Sequence, residues 1–541
     1  MSDSNSKDSK SFVFGLTLVA SIGGLLFGYD TAVISGAVKA LETYFLHPLS
    51  DNPKEALSVI FQYRITLIIV AVVVLYTLGA ITFKLYGYRK GLLLTTLAAI
   101  IIVAIMWYNF SNGMVWNEAT FNSVKGFMIS SALVGCIIGG ALGGFVSRSI
   151  GRKRGLIFAA VMFTISALGS MYPDRMNYFG TQDLISFIIY RIIGGVGVGL
   201  ASMLSPMYIA EIAPANIRGK LVSWNQFAII FGMLIIYFVN YFIAKGQSEE
   251  WINSVGWRYM FGSETIPCII FLILLFIVPE TPRYLVLVNK ENQARKVLEK
   301  LMDKETSDKV FSEIKTTLSD HSRPWLSYGG MVLLIGIMLS VFQQFVGINV
   351  VLYYAPEIFR TLGESTDSSL YQTILIGIIN LLFTVLAIFS VDKFGRKPLQ
   401  IIGALGMAVA MIGLGLFFYL NMFGLGALLF MLLYVASFAM SWGPVTWVLL
   451  SEIFPNSIRA AMSIAVAAQW ISNLAVSWTF PMMNDNTWLS GTFHHGFAYW
   501  IYGIMGILAA WFMWKYVPET KGKSLEEIEK LWTIRRKNHI T

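Results

Sequence analysis

Apolar residues along this chain gather into long runs that are separated by short polar segments. Fourteen of these runs approach the ~20 residues that an α-helix needs to cross a bilayer. Backbone groups in lipid must be hydrogen-bonded within their own segment, so each run predicts a membrane-spanning helix. The predicted spans lie at about 12–36, 65–86, 91–110, 126–147, 155–172, 184–210, 220–244, 257–279, 328–358, 371–391, 399–420, 425–450, 461–481 and 497–516.

The polar segments between the runs alternate in their content of Lys and Arg. Basic residues cluster at 84–90, 148–154, 218–220, 281–326, 393–397 and 535–537, whereas the segments between these carry isolated basic residues such as Lys39, Lys125 and Arg175, or none. Basic loops stay on the cytoplasmic side of a membrane, and this rule orients the chain. The even number of spans then places both termini in the cytoplasm. The first run is too long for a signal-peptide core, so we expect it to be retained.

Composition excludes most other classes of protein. Hydrophobic residues make up 56% of the 541 residues, and charged residues make up 13%. A soluble domain has roughly a quarter charged residues, so a soluble enzyme, a disordered chain or a fibrous repeat is a poor interpretation. The net charge of +9 follows from the basic loops and predicts no nucleic-acid partner. Cys136 and Cys268 lie in apolar runs and predict no disulfide or metal site.

Residues 281–326 form the longest hydrophilic segment between predicted spans. Mixed charges at helical spacing predict short amphipathic cytoplasmic helices that link two bundles. A solvated linker and a regulatory segment both remain open for its role. The resulting division is a first bundle at 1–280, this linker, a second bundle at 327–516 and a cytoplasmic tail at 517–541.

Three short motifs occur twice, in the same order. The two copies of the Glu-Ile motif are 241 residues apart, and the two copies of the Pro-Glu-Thr motif are 239 residues apart. This near-constant offset indicates two homologous halves, an arrangement that transporters use to build a midplane site. The paired motifs are Gly151-Arg152-Lys153 with Gly395-Arg396-Lys397, Glu211-Ile212 to Arg218 with Glu452-Ile453 to Arg459, and Pro279-Glu280-Thr281 with Pro518-Glu519-Thr520.

The doubled Gly-Arg-Lys loops and the two Pro-Glu-Thr motifs resemble the sugar porter family of the major facilitator superfamily. Further similarity lies at 23–36, 191–195, 223–227, 342–349 and 442–447, and the likeness covers about 12–45 and 125–532. The resemblance implies an all-α membrane protein with the major facilitator fold, in which two pseudo-symmetric six-helix bundles face each other. It also implies a multi-pass protein of the bacterial inner membrane that functions as a monomer.

An insertion at about 61–116 departs from the twelve-helix plan of that family. It contributes two of the fourteen predicted spans, which lie between the first and second family helices. Two additional spans keep the total number of spans even and leave the orientation of the other helices unchanged. We therefore expect a peripheral helical hairpin beside the first bundle. A re-entrant or surface segment is the alternative.

Clustered cations and carboxylates at the cytoplasmic ends of spans predict ion pairs that hold the inner side shut and break when the bundles rock. Simple topology markers are the alternative. The residues of these predicted pairs are Arg152, Glu211, Arg218, Glu280, Asp392, Arg396, Glu452 and Arg459.

A carboxylate inside the first span is energetically expensive and suggests a functional site. This residue is Asp30, and the resemblance gives it Arg191 as a neutralising partner, with Glu264 as a second acid of the relay. Protonation of Asp30 would free Arg191 and allow the bundles to reorient with sugar. A structural ion pair is the alternative.

A sugar needs amides that donate and accept hydrogen bonds, together with an aromatic plane for its apolar face. Uncharged amides within spans can also join helices to each other. Met233 stands where close relatives within the family carry a glutamine, which leaves the preferred sugar open. The predicted sugar-binding residues are Gln226, Gln343, Gln344, Asn349, Asn380, Trp447, Gln469, Trp470, Phe27 and Tyr353, with Tyr354 as a further lining or gating candidate.

The resemblance therefore implies a secondary active transporter that imports a monosaccharide, most plausibly D-xylose, together with a proton and without another cofactor. A facilitative sugar uniporter is the main alternative, and a sugar sensor that does not transport is a remote one. The sequence has no metal-ligand cluster and no Ser/His/Asp set, so we do not expect an enzyme.

Overall fold

A computed structural model of the chain gives the fold. The structure describes residues 2–111, 113–177, 180–214, 217–317, 327–422, 424–454, 462–522 and 525–538. Within these ranges every regular element is a helix.

The first part of the chain folds into ten α-helices and two π-helical turns at Glu42–Leu46 and Ile252–Gly256. These helices are α1 (Ser2–Leu41), α2 (His47–Asp51), α3 (Pro53–Ser111), α4 (Glu118–Ser149), α5 (Arg152–Met171), α6 (Asp183–Ile212), α7 (Arg218–Ala244), α8 (Glu249–Trp251), α9 (Trp257–Ser263) and α10 (Thr265–Ile277).

Three amphipathic helices follow, as the sequence predicts for the linker: α11 (Pro282–Leu287), α12 (Glu291–Leu301) and α13 (Lys304–Thr317). Residues Leu285, Val286, Ala294, Leu298 and Phe311 form a small core of their own between them. The second part of the chain comprises α14 (Gly330–Phe345), α15 (Ile348–Thr361), α16 (Thr366–Phe394), α17 (Arg396–Tyr419), α18 (Leu425–Met440), α19 (Pro444–Ile453), α20 (Met462–Asn484), α21 (Thr487–Phe493), α22 (Phe497–Tyr516) and α23 (Leu525–Asn538).

Thirteen helical stretches in the described residues are long and apolar enough to cross a membrane. The fourteenth predicted span corresponds to α20, which packs between α4 and α14. Polar side chains such as Gln469, Ser472 and Asn473 lower the hydropathy of α20. The described residues therefore provide helices for all fourteen predicted spans when α20 is counted on its packing.

Several spans are interrupted near their middle. Gly347, between α14 and α15, has φ 91°, and an added Cβ there would lie 2.7 Å from the Tyr502 ring. Pro444 begins α19 directly after a break that ends α18. Glu264 stands at the junction of α9 and α10. Interrupted spans place polar backbone and side chains at the depth where transporters bind their substrates.

The insertion is a helical hairpin, as predicted. Its two arms meet at Gly87, where φ is 70°. Thr82 Oγ1 lies 2.8 Å from Thr95 Oγ1 across the arms, and Arg64 donates to the Phe110 carbonyl at 3.2 Å. The Tyr63 hydroxyl lies 2.9 Å from Ser123 Oγ of α4. The hairpin thus attaches to the first half by one end and leaves most of its apolar side chains exposed.

The two halves meet through three helix pairs, α1 with α15, α4 with α20, and α7 with α16. We call the face that carries α11–α13 the linker side and the opposite face the far side. The C-terminal helix α23 lies on the linker side, where Trp532 Nε1 donates to the Ile453 carbonyl. The start of α1 contacts α12 on the same side.

Candidate functional site

A large cavity of about 4780 Å³ runs between the two halves. Its lining extends from linker residues such as Arg283 and Lys309 to residues at the helix breaks, such as Gln344 and Trp447. The cavity therefore opens towards the linker side. All ten predicted sugar-binding residues line it: Phe27, Gln226, Gln343, Gln344, Asn349, Tyr353, Asn380, Trp447, Gln469 and Trp470.

Amide side chains from both sides of the α14–α15 break converge in this cavity. Gln343 Nε2 donates to the Trp442 carbonyl at 2.8 Å, which ties this break to the α18–α19 break. Asn349 Nδ2 donates to Gln344 Oε1 at 2.5 Å. The non-helical turn at Gly347 allows this contact across five residues. Each amide is thereby held in place with part of its hydrogen-bonding capacity to spare.

Among the predicted sugar-binding residues, three buried polar atoms have no hydrogen-bond partner in the described part of the chain: Gln343 Oε1, Gln469 Oε1 and Trp470 Nε1. Buried polar groups in proteins are normally paired, because an unpaired one loses the free energy of its hydration. Two acceptors and one donor therefore face the cavity beside an indole ring. A polyhydroxylated ring with one apolar face matches this set.

The lining includes further residues beyond the ten predicted ones, and it does not include Tyr354. Asn473 and Met233 both line the cavity. Asn473 stands four residues after Gln469 on α20, so the helical spacing could have identified it. Tyr354 is absent from the lining, and its hydroxyl donates to the Ser477 carbonyl at 2.9 Å. Tyr354 therefore does not line the cavity, and the neighbouring Tyr353 lines it instead.

The predicted pair of Asp30 and Arg191 forms between α1 and α6. Arg191 Nη1 lies 2.6 Å from Asp30 Oδ1, and Arg191 Nη2 donates to the Asp30 backbone carbonyl at 3.0 Å. The side-chain exposures are 0% for Asp30 and 1% for Arg191. The Phe261 ring lies 5.3 Å from the guanidinium carbon. This charge pair is enclosed by protein on all sides.

Glu264 lies in the same enclosure, and its carboxyl interacts with that of Asp30. Asp30 Oδ2 and both Glu264 oxygens have no donor partner among the described residues. A protonated carboxyl group can donate to a neighbouring carboxylate, and these three oxygens are free to accept such a bond. The site is therefore suited to hold one proton more than a simple ion pair would.

Two contacts connect this charged enclosure to the cavity. The Phe27 ring, one helical turn before Asp30, lies 5.6 Å from the Trp470 ring of the second half. Tyr353 lines the cavity together with Asn473 and lies within electrostatic range of Asp30 and Arg191. A change at Asp30 can thus reach side chains that line the cavity.

On the linker side, Arg152 Nη2 pairs with Glu211 Oε1 at 2.7 Å. Glu280 accepts hydrogen bonds from the backbone N–H groups of Arg152, Lys153 and Thr281 at the start of α5 and at α11. Burial raises the pKa of the Glu280 carboxyl, and these N–H donors lower it by a smaller amount. The Glu280 carboxyl therefore lies at a helix N-terminus, where backbone N–H groups favour its charged form against the effect of burial.

The second half repeats this arrangement. Arg396 Nη2 pairs with Glu452 Oε1 at 2.8 Å. Glu519 accepts from the backbone N–H groups of Arg396 and Lys397. Gly151 and Gly395, with φ of 98° and 90°, precede the two helix starts. The sequence repeat therefore corresponds to a structural repeat.

These contacts correct the prediction that the pairs hold the inner side shut. Each pair lies within one half, and both are formed while the cavity between the halves is open on this side. Arg218 is exposed, and its described contact is a donation to the Ala213 carbonyl at 3.5 Å. The side chain of Asp392 and all of Arg459 lie outside the described residues.

Comparison with known proteins assigns the chain to a family of transporters. The family model described as "Sugar (and other) transporter" matches residues 16–120 and 107–532. The D-xylose-proton symporter of Escherichia coli (strain K12) is 54% identical over 98% of this chain and 97% of its own length. The glucose facilitated diffusion protein of Zymomonas mobilis is 36% identical over 98% of this chain and 99% of its own length.

A solved structure of the xylose transporter XylE from E. coli, in an inward open conformation, is 51% identical. The alignment covers 96% of this chain and 100% of that one, with a TM-score of 0.76.

Proposed function

This chain belongs to the sugar porter family of the major facilitator superfamily, and from this premise we propose that it imports a monosaccharide together with a proton. The sugar and the proton move by alternating access, in which the two halves expose one site to each side in turn. The chain is a membrane transporter, and the co-transported proton is its coupling ion.

The observation that carries proton coupling is the enclosure of Asp30, Arg191 and Glu264. One cation faces two carboxyl groups there, so the enclosure changes its net charge when a proton arrives. A buried ion pair is held firmly only while both partners keep their charges. Protonation of Asp30 weakens its hold on Arg191, and Phe27 and Tyr353 link that change to the cavity.

D-xylose is the substrate that we propose first. The E. coli relative that is 54% identical is named for D-xylose. The amides and indoles of the cavity suit a pyranose ring. Met233 lines the same cavity and contributes no hydrogen bond from its side chain, so it favours sugars with an apolar edge at that point.

Orientation follows from the basic loops and from the likeness to an inward open structure. We assign the linker side to the cytoplasm, with both termini there, and the membrane to the bacterial inner membrane. The two halves enclose the whole cavity within one chain, which supports function as a monomer. The ranges 1–280 and 327–516 then act as the two bundles, with 281–326 between them and 517–541 as the tail.

The test is an Asp30→Asn variant in proteoliposomes. We expect it to lose sugar accumulation driven by a pH gradient while it retains exchange of labelled for unlabelled sugar, because the cavity is unchanged. Asp174→Asn is a matched control, since Asp174 pairs with Arg258 at 2.8 Å outside the enclosure. Accumulation that persists in the Asp30→Asn variant would refute the coupling assignment.

A facilitative uniporter is the second candidate function, favoured by the similarity to the glucose facilitated diffusion protein. In that case the wild-type protein and the Asp30→Asn variant would both equilibrate sugar without accumulation.

A further inference from the structure

A buried lysine joins the two halves on the far side. Lys125 lies on α4 with 5% of its side chain exposed. Its Nζ is 2.8 Å from Glu42 Oε2 of the first half and 2.7 Å from Asp485 Oδ2, which follows α20 in the second half. One ammonium group thus binds a carboxylate from each half. We call these three residues the outer latch.

Further carboxylates surround this ammonium group. Glu118 and Glu357 line the same pocket of about 500 Å³ as the latch residues. Lys39 and the His47 ring also contact Glu42, at 3.3 and 3.1 Å. Acidic side chains of both halves therefore converge on Lys125, and Glu42 has cationic or polar partners within its own half.

Two further carboxylate contacts between the halves on this side are more exposed. Glu118, on α4, accepts a hydrogen bond from the Thr487 backbone N–H at 2.7 Å. Arg360 pairs with Glu249 at 3.0 Å, with the Glu249 side chain 57% exposed. Exposed pairs contribute little because water and salt screen them. Loss of one partner from a buried pair is far more unfavourable, since it leaves a charge without hydration.

Alternating access requires the halves to separate on the far side, and this step rests on the proposed function. Separation breaks the contact between Lys125 and Asp485. The contact between Lys125 and Glu42 survives, because both residues belong to the first half. The ammonium group consequently keeps a carboxylate partner in both conformations, and Asp485 moves into water.

We propose that Lys125 is a positioning residue of the transport cycle, which closes the far side by binding Asp485 and opens it by retaining only Glu42. The latch sets the balance between the conformation described above and the one that opens to the far side. It acts on that balance and does not contact sugar.

The test measures the distance across the far side by electron spin resonance between labels at K54C and D367C. Both sites are exposed, and Cys136 and Cys268 are fully buried, so they can remain. We expect Asp485→Asn to raise the ratio of far-side-open to far-side-closed protein on the order of tenfold. Lys125→Met should raise this ratio as well. Lys125→Arg keeps the positive charge and should show the wild-type distance distribution.

Lys39→Met is the matched control, because Lys39 pairs with Glu42 and forms no ion pair with the second half among the described residues. Its distance distribution should equal that of the wild type. Asp485→Asn leaves Lys125 paired with Glu42, so it avoids an unpaired buried charge and should fold. An unchanged distribution in Asp485→Asn overturns the proposal whatever Lys125→Met shows. The measurement uses no sugar and no pH gradient, so its outcome is independent of proton coupling.

Discussion

Single side chains define the sugar site through the hydrogen bonds that the fold leaves unused. Gln343 and Gln469 each keep a buried oxygen without a partner among the described residues, and Trp470 keeps its indole N–H. Gln344 instead accepts from Asn349 within the cavity wall. A sugar hydroxyl that enters this group can complete the bonds without displacing a backbone contact.

At this scale we predict that Gln344→Ala weakens sugar binding strongly. The change removes an amide from the lining and releases Asn349, which should cost about 1–3 kcal/mol, or roughly a 5- to 150-fold higher Kd. Titration calorimetry in detergent measures the effect, and Trp447→Ala should behave similarly. Tyr354→Phe is the control outside the lining. Wild-type isotherms in both cavity variants would exclude this site.

The sequence predicted which residues line the cavity more accurately than it predicted which residues contact each other. The ten sugar-site residues all line the cavity, because amides and aromatics within spans are rare enough to stand out. The role of Lys125 was not predicted, since its partner Asp485 is 360 residues away along the chain. The sequence predicted ion pairs for Arg218 and Glu280. In the structure both contact backbone groups near helix starts: Arg218 donates to the Ala213 carbonyl, and Glu280 accepts from the Arg152 N–H.

At the scale of elements, the duplicated Gly-Arg-Lys turns show why the repeat persists in the sequence. Each glycine has a positive φ that other residues adopt only with strain, and each lies against a carboxylate. A Cβ on Gly151 would lie 2.4 Å from Glu280 Oε2, and one on Gly395 would lie 2.9 Å from Glu519 Oε2. The turn therefore delivers two backbone N–H groups to one acid in each half.

We predict that Gly151→Ala and Gly395→Ala each destabilise the protein by about 1–3 kcal/mol, because both strain the backbone and crowd the bound carboxylate. The melting temperature in detergent reports this loss. Gly219→Ala is the control, since no atom lies within 4 Å of the added Cβ and its φ is not positive. Equal melting temperatures in all three variants would contradict the proposed role of these turns.

The sequence predicted that the inserted hairpin exists, but it did not predict how the hairpin attaches to the first half. Hydropathy identified its two arms, whereas the contacts with α4 and α6 depend on side chains at one end. Arg64 donates to the Phe110 carbonyl and its guanidinium lies 4.8 Å from the Phe110 ring. This one side chain therefore joins the ends of both arms.

Arg64→Ala should loosen the second arm, residues 87–111, without altering the sugar site. We expect faster amide hydrogen exchange in that arm and an unchanged Kd for sugar, because none of the ten predicted sugar-binding residues lies in the hairpin. Arg89→Ala, at the exposed tip, serves as the comparison variant. Weaker sugar binding in Arg64→Ala would show instead that the hairpin supports the cavity.

At the scale of the whole molecule, two halves with matching helix starts enclose one cavity, and the first half alone contains the charged enclosure. Sequence periodicity and the internal repeat predict this architecture well, because each span is a long apolar run. They do not predict which side is open, since both conformations use the same spans. The contacts between halves, such as Phe27 with Trp470, connect the proton site to the sugar site.

The central claim is that this chain couples a proton to sugar import. The most direct measurement is uptake of labelled D-xylose by the wild-type protein in proteoliposomes with an imposed pH gradient, acidic on the side opposite the linker. Our account predicts accumulation above the external concentration, and collapse of that accumulation when an uncoupler is added. Uptake that stops at equal concentrations, with or without the gradient, would contradict it.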